Sequence, residues 1–210
     1  MSAMIEEILP GIVQWDAFRE SIGHTVHSTF VLPSGTLIDP MEPEEGLEAI
    51  AAVATPRRIV LSNRHHYRHS ARYVKRFGCP VLCHEDGLGH FAGEHPVQGF
   101  SFDEQLADDV RALKLGSICA EETTLLLDVA SGVLSFGDGL TRNDDGTLAF
   151  MPDRLLGEDP AGVRAGLTSN LRRMLDEDFD ALLFAHSKPV PCDGRARLSD
   201  FLSNPRVGGA

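Results

Sequence analysis

Three of the chain's nine histidines, His65, His66 and His69, fall within five positions in the stretch Ile59-Val60-Leu61-Ser62-Asn63-Arg64-His65-His66-Tyr67-Arg68-His69-Ser70. Neutral imidazoles ligate divalent metals and move protons near neutral pH, and a carboxylate beside them completes a metal site or an acid–base pair. Two more residues of these types follow apolar runs: Asp138 in Gly137-Asp138-Gly139-Leu140, and His186 in Ala185-His186-Ser187. Glu121 and Glu122 are candidate general bases for a metal-free hydrolysis, against the plainer reading of a solvated face or turn. Cys119 is a candidate nucleophile beside His186, against the commoner role of a small buried hydrophobe. His24 and His27 lie on a β-rich run and read as satisfied core or edge residues. His84, His90 and His95 read as surface or loop residues.

The elements around these residues are legible in outline. Residues 8–40 form a β meander, with turns at Pro10-Gly11 and Pro33-Ser34-Gly35 and a strand Thr36-Leu37-Ile38-Asp39 ended by Pro40. Pro43-Glu44-Glu45 opens a helix with Leu47, Ile50, Ala51 and Ala54 on its apolar side, and Thr55-Pro56 stops it. Ile59-Val60-Leu61 follows, so residues 36–62 form a strand–helix–strand unit with parallel pairing. A second helix covers about 69–77 and ends at Gly78, before the strand Pro80-Val81-Leu82-Cys83. Residues 85–96 read as loop with one helical turn. Val110-Arg111-Ala112-Leu113-Lys114-Leu115 alternates, and residues 123–129 and 132–136 form a hairpin. Residues 141–158 are polar and irregular. Asp159-Pro160 caps a helix with the stripe Val163, Leu167, Leu171 and Leu175. A buried strand 181–184, a last helix 195–202 and a frayed tail 204–210 complete the chain, read as one domain over 1–210.

Composition narrows the partners. Formal net charge is −12, from 31 acidic and 19 basic residues, which argues against nucleic acid or an anionic membrane. No run approaches the ~20 apolar residues of a membrane span, and the acidic start Met1-Ser2-Ala3-Met4-Ile5-Glu6-Glu7 has no secretory pattern. Four cysteines without a C-x-x-C pair read as reduced thiols, so a cytoplasmic location is expected. Basic residues nevertheless cluster locally, at Arg57, Arg58, Arg64, Arg68, Arg72, Lys75 and Arg76. The expected partner is a small-molecule ligand.

The order of these features resembles the metallo-β-lactamase-fold superfamily over almost the whole chain. The resemblance rests on Leu37-Ile38-Asp39-Pro40, the strand ending in the histidine-rich loop, Gly137-Asp138-Gly139-Leu140 after a hairpin, and the terminal strand ending at His186. It implies a four-layer αββα sandwich, an α/β (α+β) fold, whose strand ends hold one or two metals and hydrolyse an ester, thioester, amide or phosphodiester. Asn63-Arg64-His65-His66 with Gly116-Ser117-Ile118-Cys119 and Ala185-His186-Ser187 is similar, more narrowly, to a bacterial subgroup of that fold.

The pattern is degenerate. The superfamily motif His-x-His-x-Asp-His falls in simple register on Asn63, His65, Tyr67 and Arg68, and one residue later on Arg64, His66, Arg68 and His69. The next ligand position falls near Ile118, while Asp138 and His186 match the bridging carboxylate and the last histidine. A catalytic zinc takes about three protein ligands plus water. Counting ligands favours no tightly held cofactor, and at most one weak divalent ion, zinc, on His65, His69, Asp138 and His186. His65, Asp138, His186 and Arg68 are the expected catalytic group, converging at one sheet edge. Arg68, or Arg64, is expected to pair with Asp138 in place of the missing metal. An eroded hydrolase acting weakly on an ester or thioester, or a non-catalytic binding protein on the same scaffold, would each fit.

Overall fold

The computed structural model describes residues 5–20, 22–91 and 96–204. Its first sheet has seven strands in sequential order: β1 (Glu6–Leu9), β2 (Ile12–Arg19), β3 (His24–Val31), β4 (Thr36–Ile38), β5 (Arg58–Val60), β6 (Val81–His84) and β7 (Val97–Phe100). The meander β1–β4 is antiparallel, and β4 to β7 are parallel. Helix α1 (Leu47–Val53) makes the β4–β5 crossover and α2 (Ser70–Phe77) the β5–β6 crossover. The second sheet contains β8 (Gln105–Ala107), β9 (Val110–Lys114), β10 (Thr123–Leu127), β11 (Val133–Phe136) and β14 (Ala181–Phe184), in the order β14-β11-β10-β9-β8. A small ribbon of β12 (Thr141–Arg142) and β13 (Leu148–Ala149) lies between, and α3 (Pro160–Met174) and α4 (Gly194–Ser203) follow.

Strand alternation explains the layers. Successive side chains of a strand point to opposite faces. Val60 packs between the sheets with Val110, Leu125, Leu127, Val133 and Leu183, whereas its neighbours Ile59 and Leu61 face Ile50 of α1 and Tyr73 of α2. On the second sheet, Leu134, Leu182 and Phe184 face the other way, onto Leu167 and Leu171 of α3 and Leu198 and Phe201 of α4. Two sheets with helices on each outer face make the four-layer αββα sandwich expected from the sequence.

Some local expectations are corrected. Helix α1 begins at Leu47, because Gly46 at φ 81° is not helical; only Glu48 lies in its first turn, and Glu44 and Glu45 precede it. His84 is buried, not on the surface: it ends β6 and stacks on Phe102 with centroids 3.7 Å apart. Residues 85–91 form a 3-10 helix, and 141–158 contain the β12–β13 ribbon. Helix α3 starts as expected, with Asp159 accepting from the Gly162 N–H. His95 and the tail beyond Asn204 lie outside the described residues.

Candidate functional site

The C-terminal ends of β4, β5, β11 and β14 meet at one edge, joined by the start of β10, which runs antiparallel to β11. Backbone hydrogen bonds tie the two sheets there: the Thr123 N–H donates to Ser62 O at 2.8 Å, and the His27 N–H to Ala185 O at 2.9 Å. Gly137 allows the close approach, since a Cβ there would stand 2.5 Å from Ser62 Oγ and 3.1 Å from Glu122 Oε1. The edge is therefore braced from both sheets, which suits groups that must keep fixed spacing.

Three donor atoms converge at this edge. His66 Nε2 lies 3.2 Å from His186 Nε2 and 3.4 Å from Asp138 Oδ1, and His186 Nε2 lies 2.9 Å from the same oxygen. His66, Asp138 and His186 form the only group of three or more potential metal ligands among the described residues, with ligand atoms within 4.8 Å of one another. Asp138 and His186 thus meet as expected from the sequence. Their partner is His66, in place of His65.

The one-residue shift has a local cause. Asn63 ends the extended segment and caps a 3-10 turn over Arg64–His66, its side chain accepting from the His65 N–H at 2.9 Å. The His66 N–H bonds back to Asn63 O, which carries the His66 ring inward. His65 is exposed and meets His90, with ring centroids 5.7 Å apart. His69 precedes α2, and its Nδ1 accepts from the Glu42 N–H at 3.0 Å, binding the β4–α1 loop instead of joining the cluster.

Asp39 orients His66. Its Oδ2 lies 2.8 Å from His66 Nδ1 and accepts from Ser62 Oγ at 2.6 Å, while Oδ1 accepts from the Ser62 N–H at 2.8 Å. With Asp39 as acceptor, the network assigns a proton to Nδ1 and directs Nε2 at Asp138 and His186. Asp39 itself takes the left-handed conformation, φ 48°, which turns its carboxylate back over β5. Burial opposes charge on His66, but Asp138 and Asp39 outweigh it and hold the imidazole at about 9. Burial likewise opposes charge on Asp138, yet His66 and His186 keep its carboxyl well below the usual range. His186 is shifted down, chiefly by burial.

Beside the triad the edge is closed. Asn63 Nδ2 donates to Asp138 Oδ2 at 2.9 Å and to Glu122 Oε2 at 3.4 Å. Glu122 Oε1 accepts the N–H groups of Asp138 and Gly139 at 2.8 and 3.0 Å. Glu121 meets Arg64 at 3.1 Å. Both acids are fully buried, so the solvated face expected from the sequence is corrected: they face inward because the Gly-Asp-Gly turn and Arg64 supply donors for them. Burial, and then Asp138, push the Glu122 carboxyl up to about 8. Cys119 is buried against Glu122, its Sγ 3.5 Å from Oε2. Burial and the adjacent acids raise its thiol far above the usual range, the reverse of an activated nucleophile.

Arg68 departs from the expected pairing. It lies at φ 45°, and its Nη1 donates to the carbonyl oxygens of His27 at 2.9 Å and Asp39 at 2.7 Å. No ion pair joins Arg68 or Arg64 to Asp138 among the described residues. The carboxylate obtains its opposite charge from His66, which only the second of the two sequence registers puts at a ligand position. On β3, His24 is exposed and His27 bonds Asp16 at 2.7 Å, so neither reaches the triad.

Comparison with known proteins establishes the fold. The sequence matches no family model and no curated protein. Among solved structures, a metallo-β-lactamase from Erythrobacter litoralis superposes with a TM-score of 0.69 at 16% identity, covering 96% of each chain. One from Pontibacter korlensis gives 0.68 at 16% identity, over 96% of this chain and 97% of that one. A class B3 di-zinc metallo-β-lactamase from an Alaskan soil metagenome gives 0.59 at 12% identity, over 94% and 89%.

Proposed function

Starting from a metallo-β-lactamase fold, we propose that the chain is a hydrolase-like protein that holds a single divalent ion on His66, Asp138 and His186 and cleaves a small ester or thioester. The observation that carries this is the convergence of three ligand atoms within 4.8 Å at the strand-end edge. Two imidazoles and a carboxylate match the three protein ligands of a catalytic zinc-type site, and the Asp39–His66 bond is the outer support such ligands use. The ligand count from sequence, which favoured no tight ion, was made with His65 and His69, which meet His90 and the Glu42 N–H instead of Asp138 and His186, and the expectation of an empty site draws no support from the His66, Asp138 and His186 donor set. When bound, such an ion acts as a Lewis acid and lowers the pKa of its water to ~7.

The chain's own groups have separable roles in this reading. Asp39 and Ser62 fix the His66 ring. Asn63 engages Asp138 Oδ2, leaving Oδ1 toward the two histidines. Glu122 holds the Asp138 backbone N–H and so sets the turn. Among the described residues no second donor set of this kind stands beside the first, and Asn63, Glu122 and Glu121 bond protein groups.

The test is elemental analysis of protein prepared without chelator or histidine tag, followed by an assay with aryl esters and acyl thioesters. About one zinc, manganese or iron per chain, with turnover lost on His66→Ala and kept in His65→Ala, is expected. A chain that binds no divalent ion on titration would leave the scaffold reading, a metal-free binding protein, in its place.

A further inference from the structure

Arg68 bonds backbone and not a carboxylate. Its Nη1 donates to His27 O at 2.9 Å and to Asp39 O at 2.7 Å, whereas Nε and Nη2 are buried and make no hydrogen bond. Two of the three guanidinium nitrogens are thus closed to any ligand, and the third is taken up by the chain itself. Burying a charge with idle nitrogens is unfavourable. The bonds of Nη1 and the opposite charges of Asp39 and Asp138 offset it.

The two carbonyls belong to the backbones that carry the triad. Strand β4 ends at Ile38, opposite Thr29, so its ladder does not reach His27. The His27 N–H donates instead to Ala185 O, one residue before His186, and the Ala185 N–H donates to Phe136 O, two residues before Asp138. Asp39 carries the carboxylate that bonds His66 Nδ1 at 2.8 Å. Arg68 itself lies two residues beyond His66 on the same loop. One guanidinium therefore joins the loop of His66 to its support Asp39 and, through His27, to the strand ends of His186 and Asp138. Both ends of the Arg68–Asp39 bond are left-handed, at φ 45° and 48°. Residues other than glycine stay in that region only where their surroundings hold them. Asp39 O also accepts from Ser28 Oγ at 3.2 Å, but the shorter bond from Arg68 is charge-assisted and the stronger of the two.

We propose that Arg68 is a positioning residue: its guanidinium clamps the ends of β3 and β4 and, acting through Asp39, sets the His66 ring toward Asp138 and His186. The consequence for an ion rests on the hydrolase reading; the setting of the ring does not. Arg68 then has no contact with substrate, and the cation expected from sequence to replace a metal serves the backbone that shapes the site.

The first test is NMR of the full, metal-free chain near neutral pH, following the His66 Nδ1–H proton, assigned by its loss in His66→Gln. In the parent it should be shielded from exchange with water by its bond to Asp39. Arg68→Met should speed that exchange, and Arg68→Lys, which keeps a charged donor, should restore most of the shielding. Leu171→Ala, in the core under α3, is the control for lost stability alone and should leave the proton shielded. The second test is zinc titration. Arg68→Met should bind about tenfold more weakly than the parent, a change of ~1.4 kcal/mol. Added to Asp39→Asn it should weaken binding by no more than about twofold, because residues that act through one another are not additive. Exchange in Arg68→Met no faster than in Leu171→Ala, or a full tenfold loss in the Asp39→Asn background, overturns the proposal. If Arg68→Met does not fold, the parent decides: Arg68 Nη protons that exchange as fast as those of the exposed Arg154 would contradict the clamp, and slow exchange supports it. A parent that binds no zinc would strike the metal reading and leave the NMR result standing.

Discussion

The strand-end edge has two halves of different character, although both are built by the same loops. In one half, His66, Asp138 and His186 bring three ligand atoms together and leave them facing one another. In the other, Asn63, Glu122 and Glu121 are consumed by bonds to the Gly-Asp-Gly turn and to Arg64. Asp138 spans the divide, with Oδ2 in the closed half and Oδ1 in the open one. The difference shows how a scaffold can retain one ion's worth of donors while filling the adjacent space with hydrogen bonds. The closed half then serves the open one, because it fixes the carboxylate that both share.

The largest effect expected from breaking this contrast is on metal affinity. His66→Ala should lower zinc affinity by a hundredfold or more, and Asp39→Asn by ~10–100-fold through loss of the supporting bond. His65→Ala should leave it within a factor of two, roughly. Competition titration with a chromophoric chelator would measure all three. Equal losses for His65→Ala and His66→Ala would erase the distinction between the neighbouring histidines.

The closed half should answer chiefly in stability. Glu122→Ala removes a buried acceptor from the Asp138 and Gly139 N–H groups, which costs about 1–3 kcal/mol for each group left unpaired. Glu122→Gln keeps an acceptor in place and should cost less. Urea unfolding of the metal-free chain gives both values. If Glu122→Gln were as damaging as Glu122→Ala, the carboxylate's charge and not its hydrogen bonds would be what the turn needs.

The metal-free chain should also show a pH signature. His66 at about 9 holds a proton in the fold that it would lose nearer pH ~6.5 when unfolded, so its stabilising contribution is complete below ~6.5 and disappears as pH rises through about 9. Glu122, held at about 8 against an unfolded value of ~4.3, loses stability in the same direction as pH rises. Stability should therefore fall from pH 6.5 to 9, by up to about 3 kcal/mol for His66. Saturating zinc should flatten the curve, since the ion takes the place of the proton on His66. A metal-free chain whose stability rises over that range would contradict the charge assignment.

How far the site was legible follows the local backbone. Asp138 and His186 directly follow regular strands, so counting along the chain placed them correctly at the edge. His65 was favoured by a register that treats residues 63–68 as alternating, as an extended segment would. The chain there is a 3-10 turn, and the signal for it is Asn63, an N-cap residue two positions after the apolar run ends at Leu61. Asp39 was visible as a strand-ending acid beside the 59–61 strand but received no role, because its left-handed backbone and the 3-10 turn that brings His66 to it appear only in the structure. Glu121 and Glu122 looked solvated since their donors lie on the Gly137–Gly139 turn and on Arg64, distant in sequence. Most strands and helices were legible because apolar periodicity is a local property, whereas the four-layer arrangement came from the resemblance to the metallo-β-lactamase fold.

The smallest effect separates Arg68 from Asp138. Sequence register suggested a buried ion pair, whereas Arg68 bonds the His27 and Asp39 carbonyls. In a double-mutant cycle, Arg68→Met and Asp138→Leu should couple by about 1 kcal/mol or less. Coupling of ~3–5 kcal/mol would restore the direct pair.

The most direct measurement is anomalous diffraction from crystals of the zinc-loaded chain, collected above and below the zinc edge. One anomalous peak is expected per chain, ~2.0–2.2 Å from the His66 and His186 Nε2 atoms and an Asp138 oxygen. A peak ligated by His65 or His69, two peaks within the edge, or none between His66, Asp138 and His186 would contradict the account.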